Sequence, residues 1–364
     1  IEPAEGVFDP AALARYRGML TSLRRRGIKP MVTLHHFTTP LWLSRQGGWA
    51  NKKVVERFRR FVRHTVTSLS DLAQLWCTIN EPDIYAAEGY VEGIHAPGRK
   101  APFLALVVLR NMLLAHTAAY QAIHDVQPNA QVGLVKDIRL FDAANPRSFP
   151  DRFIAALIDY FFNGLILRSL TTGRLAFPLS LGLISIPGLA ESLDFIGVNY
   201  YTRDRVAFGW RPGAVFMRRF PTPGAETADS GRFGTYGEIY PEGLYRALWR
   251  VASLGKPIYI TETGLPDADD DQRPRFLLTH LAQVYRAIME GLPVKGVYIW
   301  SLLDNFEWAE GWALRFGLVS FDPVTRERRV RRSGELYAAI ARENAITRQM
   351  VETYAPECLD QILA

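Results

Sequence analysis

The feature that most constrains this chain is a repeated couplet of an amphipathic helix and a short, almost wholly apolar strand. In the first couplet, Asp9 and Pro10 mark a helix start, apolar residues recur at steps of three and four, and Gly27 marks the stop. Residues 31–36 follow directly, with a β-rich composition and without the polar alternation of a strand that has one face in water. The pattern predicts a buried strand next to a helix.

The couplet recurs along the chain. Strands are predicted at about residues 31–36, 75–80, 132–135, 194–200, 257–262 and 294–301. Further helical patterns cover about residues 54–69, 103–126 and 153–170. Such units imply a parallel sheet covered by helices, and a barrel and a doubly wound sheet are the two candidate architectures.

Polar and aromatic residues at the strand ends decide between these architectures. They fall at or just past the C-terminal ends of different predicted strands: His36, Asn80, Glu81, Asn199, Tyr201, Glu262, Trp300 and Glu307. In a barrel these ends converge on one face, where the active sites of that fold lie. A doubly wound sheet is instead expected to carry a glycine-rich phosphate turn, and no G-x-G-x-x-G is present. The sequence therefore predicts an α/β protein of the (β/α)8 TIM-barrel class, with residues 1–364 as a single catalytic domain.

Composition limits the other functional classes. The net charge of +6 could suit an anionic partner, but the densest basic run, at residues 326–332, is interrupted and carries no aromatic residues, so no nucleic-acid partner is expected. Cys77 and Cys358 cannot form a disulfide framework or a cysteine-rich metal site, which favours the cytoplasm. The most apolar stretch, at residues 101–109, ends at Arg110, short of the roughly 18 residues of a membrane span. No membrane association, metal or cofactor is expected.

Two predicted strand ends carry a carboxylate in similar surroundings. Glu81 lies in Thr-Ile-Asn-Glu-Pro and Glu262 in Ile-Thr-Glu-Thr-Gly. A single glutamate there would mean little, whereas a pair on one barrel fits glycoside hydrolysis. That reaction uses two carboxyl groups across the bond, about 5 to 5.5 Å apart for retention and about 6.5 to 9.5 Å apart for inversion. Spacing along the sequence does not assign the role of either glutamate.

These motifs, matched along nearly all of the chain, resemble glycoside hydrolase family 1, the β-glucosidase and β-galactosidase family. The resemblance implies a retaining mechanism in which Glu81 is the general acid/base and Glu262 the nucleophile. It also implies an exo-acting enzyme for terminal, unphosphorylated β-linked sugars, including oligosaccharides.

The resemblance extends to a set of sugar-binding residues. His36 and Asn80 match positions that bond sugar hydroxyls, and Tyr201, in Asn199-Tyr200-Tyr201, matches the residue that holds the nucleophile. The remaining matches are Trp300 beneath the sugar ring, Glu307 and Trp308 at the outer hydroxyls, and Phe316 closing that end.

Several positions depart from the family pattern. Phe37 and Asp83 stand where many members have Trp, and Thr263 stands where Asn is usual. Members also normally have two further strands before Ile1, which carry a Gln and an Arg of the site. The barrel is therefore expected to be incomplete at the N-terminus, with this chain starting near the end of strand 2 as a fragment of a longer protein.

Two alternatives stay open at this point. A catalytically impaired or dead relative that binds a sugar or a partner would fit the missing strands, although both catalytic glutamates are retained. An endo-acting barrel glycanase should have an open cleft, whereas Glu307 and Trp308 favour a blocked pocket. The sequence does not indicate the preferred glycone or the oligomeric state.

Overall fold

The computed structural model describes residues 1–209, 217–232 and 234–363. The α-helices are α1 Pro10–Arg25, α2 Leu41–Arg45, α3 Val54–Leu69, α4 Pro82–Ala86, α5 Pro102–Val126, α6 Phe149–Asp159, α7 Leu165–Thr172, α8 Pro241–Ala252, α9 Arg273–Met289, α10 Arg332–Glu343, α11 Arg348–Tyr354 and α12 Leu359–Leu363. The strands are β1 Met31–His35, β2 Leu75–Asn80, β3 Gln131–Asp137, β4 Leu140–Ala143, β5 Phe195–Tyr200, β6 Arg203–Phe208, β7 Met217–Phe220, β8 Ser230–Gly231, β9 Gly234–Thr235, β10 Ile258–Thr263, β11 Val294–Val297, β12 Val319–Phe321 and β13 Arg328–Val330. Each of the six predicted strands corresponds to one of these, namely β1, β2, β3, β5, β10 and β11.

The chain divides into two compact units. The first comprises Ile1–Asp137 and Gly164–Gly197, and the second comprises Ile138–Asn163 and Val198–Ala364. Strand β5 begins in the first unit and ends in the second, so each half is described with its own unit. The single catalytic domain predicted over residues 1–364 stays a prediction.

The first unit is built on parallel strands covered by helices. Strands β1, β2 and β3 pair in that order and in parallel, with His35 opposite Ile79 and Asn80 opposite Val135. The start of β5 is the next neighbour, since Asp194 N–H donates to the carbonyl of Val132. Helices α3 and α5 pack against each other, and α5 also packs on β2 and β3. This arrangement fills the core with the apolar face of each helix.

The second unit also contains parallel strands. The end of β5 neighbours β10, and β10 pairs in parallel with β11. Strand β11 stops at Val297, earlier than the predicted end at residue 301. The chain nevertheless continues alongside β10, because Tyr298 N–H bonds Ile260 and Trp300 N–H bonds Thr263. Helices α8 and α9 pack together in this unit, and α9 also contacts α10 and α11.

One predicted helix is more complex in the structure. The pattern at about residues 153–170 corresponds to α6, a π-helical segment at Tyr160–Gly164, and α7. The helix starts earlier than predicted because Ser148 caps it, accepting a hydrogen bond from Asp151 N–H. In the second unit α6 packs on β4 and β6, and β6 also pairs with β7. These short strands were not predicted, since their sequences lack a clear apolar period.

Two helical stretches are long and apolar enough to cross a bilayer by length and composition. They are residues 102–126 and 149–172, and 56% and 50% of their most apolar windows are buried within the protein. The first continues through the exposed Arg110, which the sequence pattern had suggested as the end of the apolar run. Core helices of water-soluble proteins have the same length and composition, so these helices alone do not indicate a membrane protein.

Candidate active site

Glu81 lies at the junction between β2 and α4 in the first unit. It is only 7% exposed, and its backbone adopts the left-handed conformation, with φ 43° and ψ 63°. Its N–H donates to the carbonyl of Val135 at 2.9 Å, and its own carbonyl accepts from Tyr85 N–H at 3.0 Å. Pro82 then occupies the first helical position, where the missing N–H costs nothing. The chain therefore turns sharply from strand to helix at this carboxylate.

His35 ends β1 and His36 follows it, and His36 lies beside Asn80, the predicted sugar-binding asparagine. His35 accepts a hydrogen bond from the indole N–H of Trp49 at 3.0 Å, and burial lowers its pKa to about 3. His36 Nε2 lies 3.3 Å from Nδ2 of Asn80, and burial lowers its pKa to about 4. Both imidazoles are therefore neutral near pH 7. His35 is part of the aromatic core, whereas His36 can exchange hydrogen bonds with a hydroxyl group.

Glu262 is the next-to-last residue of β10, in the second unit. Its Oε2 accepts a hydrogen bond from the phenol of Tyr201, with 2.6 Å between the oxygens. The ring of Tyr201 is fixed by edge contacts to Tyr236 and Phe316, at 5.8 and 6.2 Å between centroids. A short phenol-to-carboxylate bond favours the ionised form of Glu262 and restricts its orientation.

A second carboxylate of this unit, Glu307, is held by two N–H donors. The indole of Trp300 and the amide of Asn305 both donate to its Oε1, at 3.0 and 2.9 Å. Burial raises the pKa of Glu307 to about 7, although these two donors oppose the shift. Trp308 follows directly and begins a short 3-10 turn at Trp308–Glu310. Glu307 therefore changes charge near neutral pH.

Asn199 and Thr263 are both buried in the second unit. Asn199 is fully buried, and its Oδ1 accepts from the hydroxyl of Thr261 at 2.6 Å. Thr263, which stands where the family usually has Asn, is 1% exposed, and its hydroxyl has no hydrogen-bond partner among the described residues. Next to it, a Cβ on Gly264 would overlap the carbonyl oxygen of Trp300, so the glycine of this motif is required by close packing.

The sequence over residues 2–346 matches Glycosyl hydrolase family 1. The chain belongs to this family. Beta-glucosidase A of Thermotoga maritima is 31% identical over 361 residues, covering 94% of this chain and 79% of that protein. The structure of a beta-glycosidase from Pyrococcus horikoshii matches with a TM-score of 0.86 and 36% identity, covering 97% of this chain and 80% of the other. A Thermotoga maritima beta-glucosidase in complex with deoxynojirimycin matches with a TM-score of 0.84 and 30% identity, covering 95% and 81%.

Membership in glycosyl hydrolase family 1 establishes the fold class and the reaction class. The fold is the α/β (β/α)8 barrel of these neighbours, and the protein is a glycoside hydrolase, so both predictions are confirmed. The roles of individual residues stay predictions. The predicted site residues fall into two sets, each within one unit. The first unit contains His36, Asn80 and Glu81, and the second contains Asn199, Tyr201, Glu262, Trp300, Glu307, Trp308 and Phe316.

The structure adds residues that sequence reasoning missed. Asn305 donates to Glu307, and its position two residues upstream gave no periodic signal. Asp83 forms a buried ion pair with Lys136, and the two residues are 53 positions apart in the sequence. The available signal was a lysine directly after the predicted apolar strand at residues 132–135, since an unpaired lysine is almost never fully buried.

Proposed function

We propose that this family 1 glycosidase is a retaining β-glycosidase, with Glu81 as general acid/base and Glu262 as nucleophile. The observation that carries the proposal is the placement of both carboxyls at the carboxyl ends of parallel strands, Glu81 just after β2 and Glu262 near the end of β10. In barrels of this fold class, catalytic groups are drawn from these ends.

The proposed reaction is a double displacement. In the first step a carboxylate oxygen of Glu262 bonds to the anomeric carbon, the bond from that carbon to the leaving oxygen breaks, and Glu81 gives its proton to that oxygen. In the second step a water oxygen bonds to the anomeric carbon, the water proton passes to Glu81, and the bond to Glu262 breaks. Both carboxyl groups thereby return to their starting protonation states.

The polar groups around the two carboxyls fit sugar hydroxyls. We assign His36 and Asn80 to the glycone, because a neutral imidazole and an amide can each donate and accept. In the second unit we assign Trp300 as the apolar surface beneath the sugar ring. We assign Trp308 to the outer hydroxyls of the sugar and Phe316 to the closure of that end. Glu307 uses Oε1 for Trp300 and Asn305, and its Oε2 accepts no hydrogen bond from the described residues. That oxygen can therefore accept from outer hydroxyls.

The substrates we propose are terminal, unphosphorylated β-glycosides and oligosaccharides. Relatives named as beta-glucosidase and beta-galactosidase support this class without selecting one glycone. Glu307 would repel a 6-phosphate group whenever it is ionised. Because its pKa is about 7, discrimination against a 6-phospho-β-glucoside should increase between pH 6 and pH 8. A higher kcat/KM on the phosphorylated substrate than on its parent glucoside would refute this part.

Product stereochemistry tests the mechanism directly. With an aryl β-glycoside, proton NMR of the first product should show the β-anomer before mutarotation, as double displacement requires. A slowly hydrolysed 2-fluoro-glycoside should add one glycosyl group to the protein, and peptide mass spectrometry should place it on Glu262. An initial α-anomer, or a label elsewhere, would refute the assignment, and the absence of turnover on all β-glycosides would favour an impaired relative.

We also propose a cytoplasmic location and no nucleic-acid partner. Cys77 and Cys358 are both buried and free, as thiols of a reducing compartment are. Recovery of the activity with a periplasmic or secreted fraction of the source cells would contradict this location.

A further inference from the structure

Asp83, two residues after Glu81, forms a buried ion pair with Lys136 that takes no part in the proposed double displacement. Lys136, on β3, is fully buried, and Asp83, on α4, is 5% exposed. Lys136 Nζ lies 2.8 Å from Oδ2 of Asp83 and also donates to the carbonyl of Asp137. Burying a lysine is costly unless it is paired and hydrogen-bonded. Such a pair contributes little to stability compared with apolar packing.

The pair joins the same two pieces of chain that meet at Glu81. Glu81 N–H bonds Val135, which directly precedes Lys136, and Asp83 lies in the first turn of α4, which follows Glu81. The ion pair is therefore a side-chain connection between β3 and α4. It adds to the backbone hydrogen bond between Glu81 and Val135.

The conformation of Glu81 needs this support. A non-glycine residue with φ near 43° occupies a strained region that persists only when its surroundings hold it. Helix α4 continues directly into a π-helical segment at Ala87–Glu92, so a shift at its start would move a helical stretch of the chain together with Glu81. Without the connection to β3, α4 could shift and take the Glu81 carboxyl out of position, and displacements of about 1 Å are costly in catalysis.

Lys136 links the side chain of Asp83 to β3. Oδ1 of Asp83 is buried and has no hydrogen-bond partner among the described residues, so Oδ2 carries the contact to the rest of the protein. Burial raises the pKa of Asp83, and the neighbouring ammonium opposes that shift. Loss of either partner should therefore loosen the attachment of the start of α4 to β3.

We propose that Asp83 and Lys136 are positioning residues that hold the carboxyl of Glu81 where it can protonate the leaving oxygen. The proposal rests on the acid/base role proposed for Glu81. It accounts for an aspartate at a position where the sequence pattern of the family often has tryptophan, and it makes the pair a determinant of which leaving groups are accepted.

The test compares two substrates with the same glycone, one with a dinitrophenyl leaving group and one with an alkyl leaving group. Only the alkyl group needs protonation as it leaves. In the full chain, Asp83→Asn and Lys136→Met should each lower kcat/KM at least about tenfold more on the alkyl glycoside than on the dinitrophenyl glycoside. Glu81→Gln, as the reference, should show the same asymmetry more strongly.

The control is Asp194→Asn. Asp194 lies by the opposite end of β3, where it accepts from Tyr120 and from Val132 N–H. Val132 and Lys136 are four residues apart on one strand, or about 13 Å. The control should change both substrates by the same factor, because it alters folding stability and leaves Glu81 in place.

The double variant Asp83→Asn/Lys136→Met covers the case in which a single variant does not fold, since it leaves no unpaired buried charge. Thermal unfolding should show that the double variant is folded. Its kcat/KM should still fall more on the alkyl glycoside than on the dinitrophenyl glycoside. Equal losses on both substrates, or none, in a folded variant would overturn the proposal if Glu81→Gln shows the asymmetry. If Glu81→Gln itself shows none, the acid/base assignment is wrong instead.

Discussion

The two units each carry one of the proposed catalytic carboxyls, and they hold it in different ways. Glu81 lies in a left-handed turn between β2 and α4, where its backbone N–H bonds Val135. Glu262 lies in regular strand conformation and is fixed through its side chain, by the phenol of Tyr201. A nucleophile benefits from a donor that keeps it ionised, whereas an acid/base must gain and lose a proton and gains more from accurate placement.

The largest loss of turnover is expected on substitution of Glu262. Glu262→Gln removes the nucleophile, so turnover of every β-glycoside, including activated aryl glycosides, should fall by about 10⁴-fold or more. Steady-state assays on a dinitrophenyl β-glycoside would measure this loss. Substantial remaining turnover would show that another group attacks the anomeric carbon.

Substitution of Glu81 should cause a loss of kcat/KM that depends on the leaving group of the substrate. Glu81→Gln should lower kcat/KM by about 10² to 10⁴-fold on poor leaving groups, and far less on leaving groups that need no proton. A series of aryl glycosides with graded leaving-group pKa values would measure the dependence. The same loss across the series would contradict the acid/base role.

Tyr201→Phe tests whether the hydrogen bond from Tyr201 to Glu262 contributes to catalysis. It removes one hydrogen bond to a charged group, worth about 1.5 to 3 kcal/mol, so kcat/KM should fall by about 10 to 100-fold. The loss should be uniform across the aryl series, because Tyr201 acts on the nucleophile. A loss confined to poor leaving groups would link Tyr201 to protonation instead.

The smallest effect concerns stability at Glu307. Its folded-state pKa, about 7, is raised above the ordinary value of 4.5, so its contribution is present below about pH 4.5 and is lost as pH rises through 7. Glu307→Gln avoids this loss, and should match the parent near pH 5 and exceed it near pH 8 by on the order of 2 kcal/mol. Thermal unfolding at both pH values measures the difference. A gap that does not widen with pH would show that Glu307 is not buried as described.

Much of the framework could be read from local sequence signals. Helix α1 begins after Asp9, which caps it through Ala11 N–H, and α3 spans the predicted residues 54–69. The strands β1, β2, β3, β5, β10 and β11 of the main sheet were located, because buried strands of a parallel sheet consist of short apolar runs. The strand-end positions of Glu81 and Glu262 follow from these boundaries.

Other parts of the site could not be read in this way. The left-handed conformation at Glu81 could not be predicted from residue type, since Glu81 is neither glycine nor asparagine, and its N–H is bonded to Val135 from a distant part of the chain. The adjacent histidines His35 and His36 are indistinguishable by type, and packing against Trp49 makes the first a core residue.

The sequence by itself determined the order of the strands of the main sheet, the family and the two carboxylate motifs, because each depends on residues close together in the chain. Only the tertiary structure decided how those carboxylates are held. Lys136 meets Asp83 from 53 residues away, and Tyr201 meets Glu262 from 61 residues away. Such contacts depend on which strands become neighbours, and no local period or composition records that choice.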